Sequence, residues 1–294
     1  MNNISFDLSG KIDQRTIDAL ALVKSVADSL GIHFFIVGAT ARDLILTHCY
    51  GIRTSRMTRD IDLGVEIANW EQFELLKKSL LSTGKFKGAP KVHGLLFDSL
   101  PIDIVPFGEV SGEDGRISRP PEHETFMSLL GFQEAYEFAL TIRLSTTPDL
   151  VVKLPTLAGL ALMKLISWKD GHPLRQKDAH DLLVIMQKYE SAGNFDRLYE
   201  KEQSLLEEES FDSTNAGIRL LGRDMAMMAS SETLAAARAI LDDETRTDSQ
   251  YKLVADMASG SSGIARPGTD SEELISQVEK LKQGFVEASK ARSR

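Results

Sequence analysis

The stretch His33-Phe34-Phe35-Ile36-Val37-Gly38-Ala39-Thr40-Ala41-Arg42-Asp43-Leu44 decides how the rest of the chain is read. Its first five residues are apolar and partly aromatic, the composition of a short strand, and the small residues Gly38, Ala39 and Thr40 then break the run. A helical pattern follows from Ala41 to Tyr50. Strand, tight turn and helix in that order put unsatisfied backbone N–H groups and a positive dipole end at the turn, where a phosphate can be held.

Outward from this unit, the pattern predicts alternating elements. Upstream, Ile12, Ile17, Leu20, Ala21, Val23, Val26, Ala27 and Leu30 recur at helical spacing, with Gly31 as the stop. Downstream, residues 60–67 alternate strictly: Ile61, Leu63, Val65 and Ile67 share one face, and Asp60, Asp62, Gly64 and Glu66 the other. That is a half-buried strand. Asn69 and Gln72 form a capping box for a helix reaching Ser82, and further strands are expected near 92–97, 101–105 and 138–144.

From Pro155 the pattern turns almost wholly helical, over about 155–169, 176–189, 195–208, 213–229, 231–243 and 247–258. Residues 259–270 have linker composition, and a short amphipathic helix is expected over 271–289. The expected fold is α+β, α/β-like in its first part. Residues 1–150 form a small mixed-sheet head with flanking helices, residues 151–258 a helical region, and residues 259–294 a linker and terminal helix.

Composition narrows the function classes. The chain has 294 residues, 42% apolar and 26% charged, with a formal charge of −9. That acidity argues against broad electrostatic binding to DNA or anionic membranes, while leaving room for a local basic pocket. The charge is uneven, at −2 over residues 1–189 and −7 over residues 190–294. Cys49 is the single cysteine, the six histidines show no zinc pattern, and no apolar run approaches the roughly 18 residues of a membrane span. A reducing cytoplasm fits this usage.

Asp60 and Asp62 carry the strongest chemical signal, because residues two apart on a strand share a face with Cα atoms roughly 6.6–6.8 Å apart. Paired carboxylates suit hard divalent cations such as Mg²⁺, although an amphipathic strand with a solvated polar face produces the same pattern. Asp103 sits in Leu-Pro-Ile-Asp-Ile-Val-Pro-Phe-Gly, where an acid among apolar neighbours is costly unless paired or metal-bound. If the 101–105 strand lies beside the 60–67 strand, Asp103 supplies a third carboxylate for metal or for the proton of an attacking hydroxyl.

In this order VGATARDLIL, RMTRDIDL, PIDIVPFG, MKLISWKD and QKDAHDL resemble the nucleotidyltransferase superfamily, and within it the group of AbiEii-type toxins of type IV toxin–antitoxin systems. The likeness spans about residues 33–190. It implies Gly38, Ala39 and Thr40 in a phosphate turn, Asp60 and Asp62 on metal, and Asp103 as third acid. It also points to Lys164, Lys177, Asp178 and Asp181 as nucleotide- or acceptor-side groups. Arg42 and Arg59 are candidate triphosphate cations, and Arg53 and Arg56 also precede the acidic pair.

Two departures stand out: Ala39 occupies a position where a second Gly is common, and 22 positions separate Gly38 from Asp60. The head also resembles the V-G-G-x-V-R-D-x-L opening of CCA-adding enzymes, without their downstream Glu-Arg-type helix. The implied reaction moves a nucleoside monophosphate from an NTP, with Mg²⁺ or Mn²⁺, to a hydroxyl of RNA such as tRNA, of protein or of a small molecule. The implied partner is an antitoxin protein. The rival from another class is a binding module that keeps nucleotide or metal contacts, has lost transfer, and acts on a protein through the acidic helical region.

Overall fold

The computed structural model describes residues 4–54, 58, 60–90, 93–112, 115–118, 126–259 and 270–292. The chain divides into two compact units, residues 1–156 and 157–294.

The head contains β1 (Phe6–Asp7), α1 (Gln14–Ser29), β2 (His33–Val37), α2 (Gly38–Asp43), β3 (Ile61–Glu66), α3 (Trp70–Ser82), β4 (Phe86–Gly88), β5 (Gly94–Phe97) and β6 (Leu100–Phe107). The short strands β7 (Arg116–Ser118) and β8 (Phe126–Ser128), the helix α4 (Phe132–Glu137), and β9 (Leu140–Thr146) with β10 (Asp149–Leu154) complete it. The main sheet is mixed, in the order β2-β3-β6-β5-β4, and β1, β9 and β10 form a second sheet. The α+β class read from the sequence holds.

Local chemistry explains several boundaries. Asp13 caps α1 by accepting from the Thr16 N–H at 3.0 Å, and Asn69 caps α3 by accepting from the Gln72 N–H at 2.9 Å. Gln72 returns the bond, its Oε1 accepting from the Ala68 N–H at 2.9 Å, one residue before the position a capping box uses. The helix after β2 begins at Gly38 itself rather than at Ala41, and it continues from Leu44 to Cys49 as a π-helical segment. The three residues of the turn are therefore the first helical turn.

On β3, Ile61, Leu63 and Val65 are buried as the alternation requires. The opposite face is less open than expected, because the Phe35 ring covers Gly64: a Cβ there would lie 2.3 Å from a ring carbon. Phe35 in turn meets Phe107 and Tyr136 edge-on, with ring centroids 5.5 Å away in both cases. The 92–97 strand forms as β5 from Gly94, with Val92 outside the described residues. Residues 149–154, across the expected boundary at residue 150, are strand β10 paired antiparallel with β9.

The second unit is helical: α5 (Leu157–Gly171), α6 (Gln176–Lys188), α7 (Phe195–Glu200), α8 (Gln203–Glu208), α9 (Ser213–Met228), α10 (Ser231–Glu244), α11 (Lys252–Ala258) and α12 (Ser271–Arg292). The single helix expected over 195–208 is two short ones, broken at Lys201 and Glu202. Linker residues 260–269 lie outside the described residues.

Helix α12 is longer than expected and packs closely along α9. A Cβ on Gly284 would lie 1.8 Å from the Arg219 carbonyl oxygen, and one on Gly222 would lie 2.1 Å from that of Leu281. Val278, Leu281 and Phe285 are fully buried. Among the described residues, no helix is long and apolar enough to cross a membrane.

Candidate active site

Asp62 is the residue around which the head's polar groups assemble. On one side it pairs in register with Val37 of β2, and on the other with Asp103 of β6. Strands β3 and β6 run parallel, so the two acids stand side by side on neighbouring strands. The strand adjacency on which a third carboxylate depended is therefore present. Asp60 lies just before β3, and one ligand oxygen from each of Asp60, Asp62 and Asp103 falls within 4.8 Å of the others. All three are half-buried. Among the described residues this is the one group of acids, histidines or cysteines with metal-ligating spacing.

This donor set fits a hard divalent cation. Carboxylate oxygens are the preferred ligands of Mg²⁺ and Mn²⁺, and three acids this close are mutually repulsive without positive charge between them.

The turn after β2 is built against the same group. Gly38 has φ +67°, and a Cβ there would stand 2.1 Å from Oδ2 of Asp62, so both backbone conformation and space demand glycine. Ala39 follows in the first helical turn, and Thr40 ties that turn to the acids by donating its hydroxyl to the Asp60 carbonyl at 2.5 Å. Thr58 donates its hydroxyl to the Asp60 carboxylate.

Arg42 has a different setting from the one its charge suggested. It is 3% exposed, and its guanidinium donates to Oδ1 of Asp43 through Nε at 2.9 Å and Nη2 at 2.6 Å. Asp43 also accepts from the Thr54 hydroxyl at 3.0 Å and the Thr58 N–H at 3.4 Å, fastening the chain that leads into Asp60. Asp43 and Thr58 escaped the sequence reading. The sole hint was the adjacent Arg-Asp pair in α2, since the other partners of Asp43 lie 11 and 15 positions away. Arg53 is exposed, and Arg56 and Arg59 lie outside the described residues.

The residues singled out in the second unit form a cluster of their own. Lys164 on α5 bridges Asp178 and Asp181 of α6, with N–O distances of 2.7 Å to each, and Arg175 donates to the other oxygen of Asp178 at 2.5 Å. Burial by itself would lower the Lys164 ammonium, but the two carboxylates outweigh it and hold its pKa above the usual lysine value. For Asp178, burial pushes the carboxyl up, and the adjacent Lys164 and Arg175 charges bring it below the usual range. Lys177, on the same helix as the two acids, is exposed.

Trp168 is buried and donates its indole N–H to Asp256 at 2.8 Å, a packing role. Trp70 meets Phe73 edge-on. Burial raises the Cys49 thiol to about 11.

Residues 21–242 match the family described as "Nucleotidyl transferase AbiEii toxin, Type IV TA system". No curated protein sequence matches the chain.

Among solved structures, ANT(2'')-Ia in complex with adenylyl-2''-tobramycin is 14% identical, at a TM-score of 0.35, covering 68% of this chain and 97% of that one. A CCA-adding enzyme with ATP is 15% identical, at 0.32, covering 96% and 84%. The Thermotoga maritima CCA-adding enzyme with tRNA is 12% identical, at 0.29, covering 96% and 83%. These are distant likenesses, and the assignment rests on the family match, which takes in the acid triad, the Gly38 turn and the α5–α6 cluster. By that match the chain belongs to the AbiEii nucleotidyltransferase family.

Proposed function

We propose that the head transfers a nucleoside monophosphate from an NTP to a hydroxyl of an acceptor, in a reaction that depends on a divalent metal ion and releases pyrophosphate. The single observation that carries this reading is the convergence of Asp60, Asp62 and Asp103 within 4.8 Å beside a glycine turn with no room for a side chain. Mg²⁺ or Mn²⁺ held by these acids would neutralise charge on the transferred and departing phosphates and lower the pKa of the acceptor hydroxyl.

The chain's own groups take the remaining roles. Asp103 accepts the proton of the attacking hydroxyl. The N–H groups of Gly38, Ala39 and Thr40 orient the donor phosphates, and Thr40, bonded to the Asp60 backbone, keeps turn and acids in register. Asp43 and Thr58 hold the segment entering β3. Membership in a type IV toxin family supports a toxin role opposed by an antitoxin protein.

The test incubates purified protein with each radiolabelled NTP and Mg²⁺, alone and with tRNA, total protein or small-molecule extract. Label transferred to one of these with pyrophosphate release supports the reading and identifies the acceptor. NTP binding without transfer to anything would make the protein a binding module instead.

A further inference from the structure

We propose that a cavity at the end of the main sheet remote from the acid triad binds a small organic cation, an ammonium or guanidinium group on an apolar stem, through Glu66 and Glu109.

The cavity measures about 620 Å³, within the range of small-molecule pockets. It lies in the head between the start of β2, the β3–α3 junction, the turn after β6 and the start of α4. Strand pairing separates it from the triad. Val37 stands opposite Asp62 at one end of β2, and His33 stands opposite Glu66 at the other. Four residues of β3 lie between the two acids' positions, about 13 Å of extended chain.

Charge selects the ligand. Glu66 and Glu109 line the cavity, and no lysine or arginine does. Among the described residues Glu109 has no ion-pair or hydrogen-bond partner, and Glu66 meets the imidazole of His33, Nδ1 to Oε2 at 3.2 Å. Gln133 adds a further acceptor, because its amide nitrogen donates to Glu137 at 3.0 Å and its carbonyl oxygen is left over. A wall with two carboxylates and no fixed cation attracts positive charge.

Shape brings the two acids together. Gly108 has φ +101°, and a Cβ there would lie 3.0 Å from the Ile67 carbonyl oxygen and 3.3 Å from Cγ of Glu66. Glycine thus lets the turn after β6 lie against the end of β3, and the next residue, Glu109, reaches the cavity that Glu66 lines. The half-buried Phe132 supplies an aromatic wall, with the Phe107 ring tilted behind it at 6.0 Å. An aromatic wall accommodates both a cation and an alkyl stem.

A bare metal ion fits less well. Among the described residues only Asp60, Asp62 and Asp103 have metal-ligating spacing, and the groups of this cavity do not. Ammonium and guanidinium groups carry several N–H donors and can serve acids that stand further apart.

The experiment titrates agmatine, a guanidinium and an ammonium joined by an alkyl stem, into the full-length protein by calorimetry. The variants are E66Q, E109Q, F132L and D62N, with E71Q, exposed on α3 outside the cavity, as control. Melting curves establish that each is folded. E66Q and E109Q should each weaken agmatine by about tenfold and F132L by about threefold. D62N and E71Q should bind it as the wild type does.

Absence of agmatine binding to the wild type, or unchanged affinity in folded E66Q and E109Q, overturns the site. Loss of binding in D62N would put agmatine on the triad and overturn it too. Valerate bound as tightly as agmatine would remove the selection for positive charge. A blocked Gly-Arg-Gly peptide bound more tightly than agmatine would give the cavity to a side chain of a protein partner, against the small-molecule assignment.

Discussion

A Cβ on Gly38 would lie 2.1 Å from Oδ2 of Asp62, in a backbone conformation of φ +67° that L side chains rarely adopt. Gly38→Ala should therefore do two things together. It should cost about 1–3 kcal/mol of head stability from the left-handed conformation and the displaced neighbour, and it should push Asp62 out of line with Asp103. Thermal melting and Mn²⁺ titration check both, and a variant with wild-type metal affinity would separate the turn from the acids.

Asp60→Asn and Asp62→Asn should each abolish NMP transfer while leaving the melting temperature equal or slightly higher. Close carboxylates repel, and neutralising one relieves that repulsion. Equal turnover in wild type and variants would remove the metal site; a large drop in melting temperature would make these acids structural.

The buried Lys164 ammonium is shared by two carboxylates, so Lys164→Met should cost about 3–5 kcal/mol by removing the cation that Asp178 and Asp181 have in common, although Asp178 keeps its bond from Arg175. Adding Asp178→Asn and Asp181→Asn should recover much of that loss. Lys177→Met, at an exposed position, should change stability by less than about 0.5 kcal/mol. NTP turnover of this last variant is then a clean reading of its proposed nucleotide-side role.

The same cluster sets a pH dependence. Asp178 has a lowered pKa, so its contribution is complete above the ordinary carboxylate value of 3.8 and is lost as pH falls through the folded value below it. Lys164 has a raised pKa, so its contribution is complete below 10.5 and is lost as pH rises through the folded value above it. Chemical denaturation should show no change from this cluster between about pH 5 and 9, and Asp178→Asn should flatten the acid side.

Gly284→Ala should destabilise the second unit by more than about 2 kcal/mol, since the new methyl would stand 1.8 Å from the Arg219 carbonyl and must push α12 off α9. Truncation after Ser259 should expose the face of α9 that Leu281 and Phe285 cover, and the shortened protein should melt earlier or aggregate. Wild-type melting of the truncated chain would show α12 to be detachable.

The sequence by itself determined the elements whose signals are local. The alternation of 60–67, the Asn69–Gln72 cap and the glycine break after Val37 each depend on neighbours within a few residues, and they became β3, α3 and the first turn of α2. Asp60 and Asp62 stood out for the same reason, their shared face being a property of one strand. Tertiary structure alone decided what crosses the chain. It placed β6 beside β3 in the register that puts Asp103 next to Asp62, and set Gly38 against the Asp62 carboxylate. It also turned Arg42 inward onto Asp43 and gave Asp181 to Lys164 from another helix. A local pattern says which face a side chain occupies; pairing between distant segments, chosen by burial and hydrogen bonding of the whole sheet or helix packing, says which charge it meets there.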